Sequence, residues 1–292
     1  MTAYLFYPSA VASNFLLSMA LCKKMKAIFT NEMPDLPVFN QRVALAMQNG
    51  ICKLCLRPAK LKKSHIIPEF NYSAMYDDRH RIEGVSKQRR IYLQKGVYEH
   101  MLCGDCEQKF SCWEKYYKHI VYDDGLELEE QGSNYLILKG IDSPQAYLHH
   151  LSLIWRMAMS TLPMFRMVDL GEKHSERIRQ LLLTENGNDF LEYPVGITAL
   201  RLLGKFEPGW IYPPDFVHDS KRRRVYRFVI AGFLYQVYVS SQPLDSDPAL
   251  LEEQRGRIFV NIANAMDIPF IAKNLKELHL ALKHHEAKKK KR

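Results

Sequence analysis

Cys52-Lys53-Leu54-Cys55, answered by Cys103-Gly104-Asp105-Cys106, is the stretch on which the fold of this 292-residue chain turns. Two thiolates separated by two residues form a knuckle that reaches one metal, and two knuckles complete a tetrahedral zinc site closed to water. Such a site is structural: it staples a module whose apolar core is too small to stand alone. Two unrelated cysteine pairs or a redox dithiol would use the same residues, but the chain has six cysteines in all and four fall into these matched pairs. That usage argues against a disulfide-dense secreted scaffold and for a reducing compartment. Cys22 and Cys112 lie outside the pairs and are expected to be buried thiols.

Between the knuckles runs Leu61-Lys62-Lys63-Ser64-His65-Ile66-Ile67-Pro68-Glu69-Phe70. A histidine closing a short strand, with a proline turning the chain three residues later, resembles the first part of the HNH, or ββα-metal, endonuclease motif. In zinc-stapled members the motif runs from one Cys-x-x-Cys, through Asp-His or His-His before Ile-x-Pro, to a second Cys-x-x-Cys followed directly by His or Asn on a helix. The resemblance implies that His65 is the general base for water attacking a phosphodiester, a task suited to a group with a near-neutral pKa. It also implies that Glu107, directly after the second knuckle, helps to hold a catalytic Mg²⁺ or Mn²⁺. Ser64 stands where an Asp or His normally supplies a second ligand, and a neutral hydroxyl is a weak one. The family's middle Asn has no clear match, with Glu99 and His100 near its place. Positions 107, 111 and 114 share one helix face, so Glu114 is expected to aim a second carboxylate at the same ion. Phe110, Trp113 and Tyr117 form an apolar stripe on the other face. DNA is the implied partner, and bacterial and phage proteins of this type often serve restriction or antiviral defence.

Basic residues surround the motif. Lys62 and Lys63 belong to it, and the loop from Met75 to Gly96 adds Arg79, Arg81, Lys87, Arg89, Arg90 and Lys95, interleaved with Tyr76 and Tyr92. Such side chains track a phosphate backbone, although a merely solvated loop has the same composition. The net charge is +9, which points to an anionic partner. It is not evenly spread: residues 51–110 hold 12 basic and 7 acidic side chains, and the tail Lys288 to Arg292 is wholly basic. The tail reads as a disordered solubilising end.

Further out, the chain divides into a leader or helix over 1–45, an HNH-like zinc module over 46–125, an α+β domain over 126–287 that offers a surface for a protein partner, and the tail 288–292. The fold class is α+β, a small zinc-stapled ββα-metal module followed by a larger α+β domain. Helical periodicity marks Gln145 to Ser160 and Lys173 to Leu183, and a closing helix runs from about Ile268 to His284. Tyr135 to Leu138 reads as a strand, and Val225 to Ile230 with Phe233 to Ser240 flank Ala231-Gly232 as a hairpin. The apolar segment Tyr4 to Cys22 is broken by Pro8, Ser9, Ser13, Asn14 and Ser18 and has no basic front, so neither a membrane anchor nor a signal is expected and the location reads as cytoplasmic. Ser64 and Glu107 also suit a different class of protein, a catalytically inactive HNH-like zinc module that binds nucleic acid or a partner protein.

Overall fold

The computed structural model describes residues 49–85, 90–123, 125–241 and 256–290. The expected leader, Cys22, Lys87 and Arg89 lie outside the described residues. β1 (Asn49–Ile51) pairs with β2 (Pro58–Lys60), and the first knuckle occupies the turn between them. β3 (Lys62–His65) leads through Pro68 into a 3-10 turn, Glu69–Met75, and then into a hairpin of β4 (Ile82–Val85) and β5 (Arg90–Leu93). The chain returns as β6 (Tyr98–Leu102), antiparallel to β3, and the second knuckle opens directly into α1 (Gly104–Tyr122). Two antiparallel strands and one helix therefore stand together, with the hairpin as an excursion between the strands.

β7 (Glu127–Gln131), β8 (Tyr135–Lys139), α2 (Ser143–Met159) and α3 (Gly171–Thr184) follow, then β9 (Val195–Leu202), β10 (Lys205–Phe206), β11 (Tyr212–His218), β12 (Arg224–Ile230), β13 (Phe233–Val239), β14 (Arg257–Asn264) and α4 (Pro269–Lys290). The sheet order is β11-β12-β13-β9-β14-β8-β7, with β10 paired to β9. β14 inserts parallel to β9 and antiparallel to β8, so the sheet is mixed and the fold is α+β. The expected helices and strands appear within a few residues of their predicted bounds. The closing helix instead continues into the basic tail as far as Lys290, where the sequence reading placed disorder from Lys288.

Period-two alternation decides which face of the sheet each residue serves. Val195, Ile197 and Ala199 of β9, with Tyr226, Phe228 and Ile230 of β12 and Tyr235 and Val237 of β13, face the core that holds α1, α2 and α3. The alternate residues Leu200, Val229 and Leu234 pack with Trp210, Ala265 and Ile271 under α4. α2 is buried nearly all round, as expected of a helix enclosed between other elements. α1 lies against it through Phe110, Trp113, Tyr117 and Ile120, spaced to share one face. Consequently one apolar core runs from Cys52 and Leu54 through α2 to Val260. Among the described residues no helix is long and apolar enough to cross a membrane.

Candidate metal centre and active site

The four knuckle cysteines converge although 48 positions separate Cys55 from Cys103. Their sulfurs all lie within 4.8 Å of one another, and Cys55 Sγ stands 3.8 Å from Cys103 Sγ. A tetrahedral ion with metal–sulfur bonds of about 2.3 Å needs sulfurs about 3.8 Å apart. The cluster can hold a metal ion, and its donor set and spacing are compatible with structural zinc. The Cys103 amide donates to Cys52 Sγ at 3.3 Å. Burial raises the Cys52 and Cys106 thiols; for Cys55 burial acts in the same direction but is outweighed by hydrogen bonds from the Arg57 backbone and side chain, which lower it to about 6. Helices from beyond the knuckles grip the first one: Lys53 Nζ donates to the Met159 carbonyl and Arg179 to the Leu54 carbonyl, with Arg179 also forked onto Glu176. Cys112 is exposed rather than buried.

Beside the cluster, β3 and β6 set the positions of the motif side chains. Ser64 pairs with Glu99 and His65 with Tyr98, and the pleat sends neighbouring side chains to opposite faces. Ser64 is buried and turns toward α1, where its hydroxyl donates to Glu107 Oε2 at 2.6 Å. His65 takes the other face. Its Nε2 lies 2.9 Å from the Lys95 carbonyl oxygen, and a carbonyl only accepts, so Nε2 carries the proton and the neutral ring keeps its lone pair on Nδ1. That carbonyl is aimed by two left-handed residues, Lys95 at φ 61° and Gly96 at φ 75°. A Cβ on Gly96 would stand 2.3 Å from the Tyr72 ring, so only glycine fits this turn.

The helix carboxylates have unequal environments. Burial raises the Glu107 pKa against the lowering influence of the Ser64 hydroxyl and the Arg156 charge. Glu114, expected to join Glu107 at one ion, instead accepts from Arg156 Nη1 at 2.6 Å and serves as that guanidinium's counter-ion. Ser64, expected as a weak ligand, is engaged as a donor to Glu107. Glu107 and Glu114 are therefore engaged with different partners. They do not suit a two-carboxylate chelate through Glu114.

Arg156, from α2, carries no local sequence signal except that it is a charged residue inside Leu151 to Ala158, an otherwise mostly apolar helical run. A buried arginine must find partners, and this one reaches both motif elements. Glu99, near the place of the missing Asn, accepts from Ser160 Oγ and from the Thr161 amide and hydroxyl, tying β6 to the end of α2. His149 and His150 are buried against Tyr117 rather than paired on a metal. Burial drives both pKa values down, His150 to about 3, so they are neutral core groups.

The basic residues divide by role. Lys62 and Lys63 are exposed on β3, and Lys63 Nζ lies 5.0 Å from the Tyr98 ring centre, beside His65. Arg79 is exposed. Arg81 is forked onto Asp77 and lies over Tyr92, so part of its charge is already answered. Lys95 contributes its backbone to His65, and the Arg90 side chain lies outside what is described. Comparison of the chain with protein-family models, with curated proteins and with solved structures yields no match.

Proposed function

We propose that the chain is a metal-dependent nuclease of the HNH kind that hydrolyses DNA phosphodiester bonds, with zinc as the staple in the four-cysteine cluster. The observation that carries this reading is where the fold places three groups from distant positions: on one face of β3 a histidine whose Nδ1 is left as the basic nitrogen, on the other a helix-start carboxylate bonded to Ser64, and at the start of that helix a four-sulfur cluster. His65 Nδ1 takes the proton from the attacking water, and the Lys95 carbonyl stabilises the imidazolium that results by keeping its bond to Nε2–H. Glu107 would hold Mg²⁺ or Mn²⁺, which when bound stabilises the charge that develops on the phosphate and the leaving oxygen. Lys62, Lys63 and Arg79 bring the phosphate backbone to this edge of β3 without reading sequence.

The test is cleavage of supercoiled plasmid by zinc-loaded protein with Mg²⁺ or Mn²⁺. His65→Ala is expected to lower the rate by about 10²-fold or more, the usual range for a general base. Plasmid left intact by the wild type in every metal, or cut equally well by His65→Ala, overturns the reading. The Ser64–Glu107 hydrogen bond and the Arg156–Glu114 pair favour a second reading, a silent module that binds nucleic acid. That reading expects salt-sensitive DNA binding, weakened by Lys62→Ala and Lys63→Ala, with no cleavage.

A further inference from the structure

We propose that Arg156 is a positioning residue for His65, so that α2, a helix of the sheet-bearing region, completes the site on the zinc module; this rests on the nuclease reading above. The Arg156 side chain is 1% exposed and every donor group has a named destination. Nε donates to the Ser152 carbonyl at 3.2 Å and Nη2 to Ser152 Oγ at 3.2 Å, which fixes the plane of the guanidinium on its own helix. Nη1 donates to the His65 carbonyl at 2.6 Å and to Glu114 Oε1 at 2.6 Å. Its two hydrogens thus join β3 to α1. The flat group also lies over the Phe110 ring, 5.2 Å from the centre.

Stability does not explain this arrangement. A buried ion pair among apolar neighbours such as Phe110 and Trp155 is commonly matched or bettered by apolar residues of similar volume. What an apolar residue cannot do is hold the peptide that follows the His65 Cα. With its carbonyl on Arg156 and its ring Nε2 on the Lys95 carbonyl, His65 is fixed at backbone and side chain together, and the direction of Nδ1 follows. A lysine has the charge but not the rigid fork that serves Ser152, His65 and Glu114 at once.

The experiment uses full-length, zinc-loaded Arg156→Lys and Ser152→Ala, the second chosen because it removes a single hydroxyl, which accepts from Nη2 and donates to the His149 carbonyl at 2.7 Å. Plasmid cleavage gives kcat and KM separately, and ¹⁵N-histidine spectra report the His65 ring, its signals identified by their loss in His65→Gln. Arg156→Lys is expected to keep one zinc per chain and a KM within about threefold of wild type while kcat falls about tenfold or more, as loss of positioning without loss of binding requires. Ser152→Ala is expected to lower kcat about threefold or more by the same route. The His65 signals are expected to show the Nε2-protonated tautomer in the wild type and a mixture of tautomers in both variants. Wild-type kcat and wild-type ring signals in the variants overturn the proposal, and Ser152→Ala decides alone if Arg156→Lys does not fold. Should the wild type fail to cut DNA, the nuclease reading falls while the ring signals still judge Arg156.

Discussion

At the scale of the residue, Glu107 shows how burial and hydrogen bonding compete. Burial raises its carboxyl above the ordinary value of 4.5, while the Ser64 hydroxyl and Arg156 draw it down. The folded chain therefore keeps this proton to a higher pH than the unfolded chain does. As pH rises from 4.5 through the folded value, the folded state loses stability relative to the unfolded one, and above that value the loss is complete. Glu107→Gln has no proton to lose. Its Tm relative to wild type, measured on zinc-loaded protein from about pH 5 to about pH 8, is expected to rise across that range; a difference that stays flat would show a solvated carboxylate. His65 was legible in the sequence because a histidine at a strand end before Ile-Ile-Pro is a local pattern. The orientation of its ring was not, because the carbonyl that fixes it belongs to Lys95, 30 positions on.

At the scale of the element, α1 packs into the common core by one stripe. Phe110, Trp113, Tyr117 and Ile120 face α2, and Glu107 and Glu114 flank this stripe rather than lying opposite it: Glu114 accepts from Arg156 of α2 and Glu107 from Ser64 of β3. Trp113 is buried at 3% exposure, so Trp113→Ala is expected to cost about 3–5 kcal/mol in urea unfolding. A loss below about 1 kcal/mol would mean that the interface relaxes around the gap. The β12–β13 hairpin turns on Ala231 at φ 49° and Gly232 at φ 80°, the two positive values that a two-residue I′ turn requires. A Cβ on Gly232 would stand 2.3 Å from the Glu207 carbonyl oxygen. Gly232→Ala is therefore expected to destabilise by more than about 1 kcal/mol, read in the same unfolding assay. The stripe, the hairpin and both later helices were readable from periodicity. Ser143 and Pro144 open α2, and the capping oxygen is that of Asp142, which accepts from the Gln145 amide.

At the scale of the whole molecule, the metal centre is built into the main core rather than appended to it. The core is continuous from Cys52 to Val260, and Lys53 and Arg179 bind the first knuckle to the end of α2 and to α3. Structural zinc contributes about 10–16 kcal/mol of apparent binding free energy in small zinc-dependent folds. Chelation is therefore expected to lower the calorimetric Tm of the entire chain and to weaken the near-ultraviolet signal of Trp155 together with that of Trp113. A second transition that keeps its original Tm after zinc removal would show that the sheet stands without the module.

The sequence by itself determined the metal-binding knuckles, the strand that carries His65, the apolar stripe of α1 and the α+β class, because each depends on spacing within a few residues. Only the tertiary structure decided what the charged side chains do. Ser64 meets Glu107 across 43 positions, Arg156 meets Glu114 across 42 and the His65 carbonyl across 91. Burial makes such pairings compulsory, since a charge withdrawn from water must find a partner, but the choice of partner belongs to the packing of α1, α2 and β3. Glu114 thereby became a counter-ion, Ser64 a donor, and an arginine from an apolar helix the link between β3 and α1.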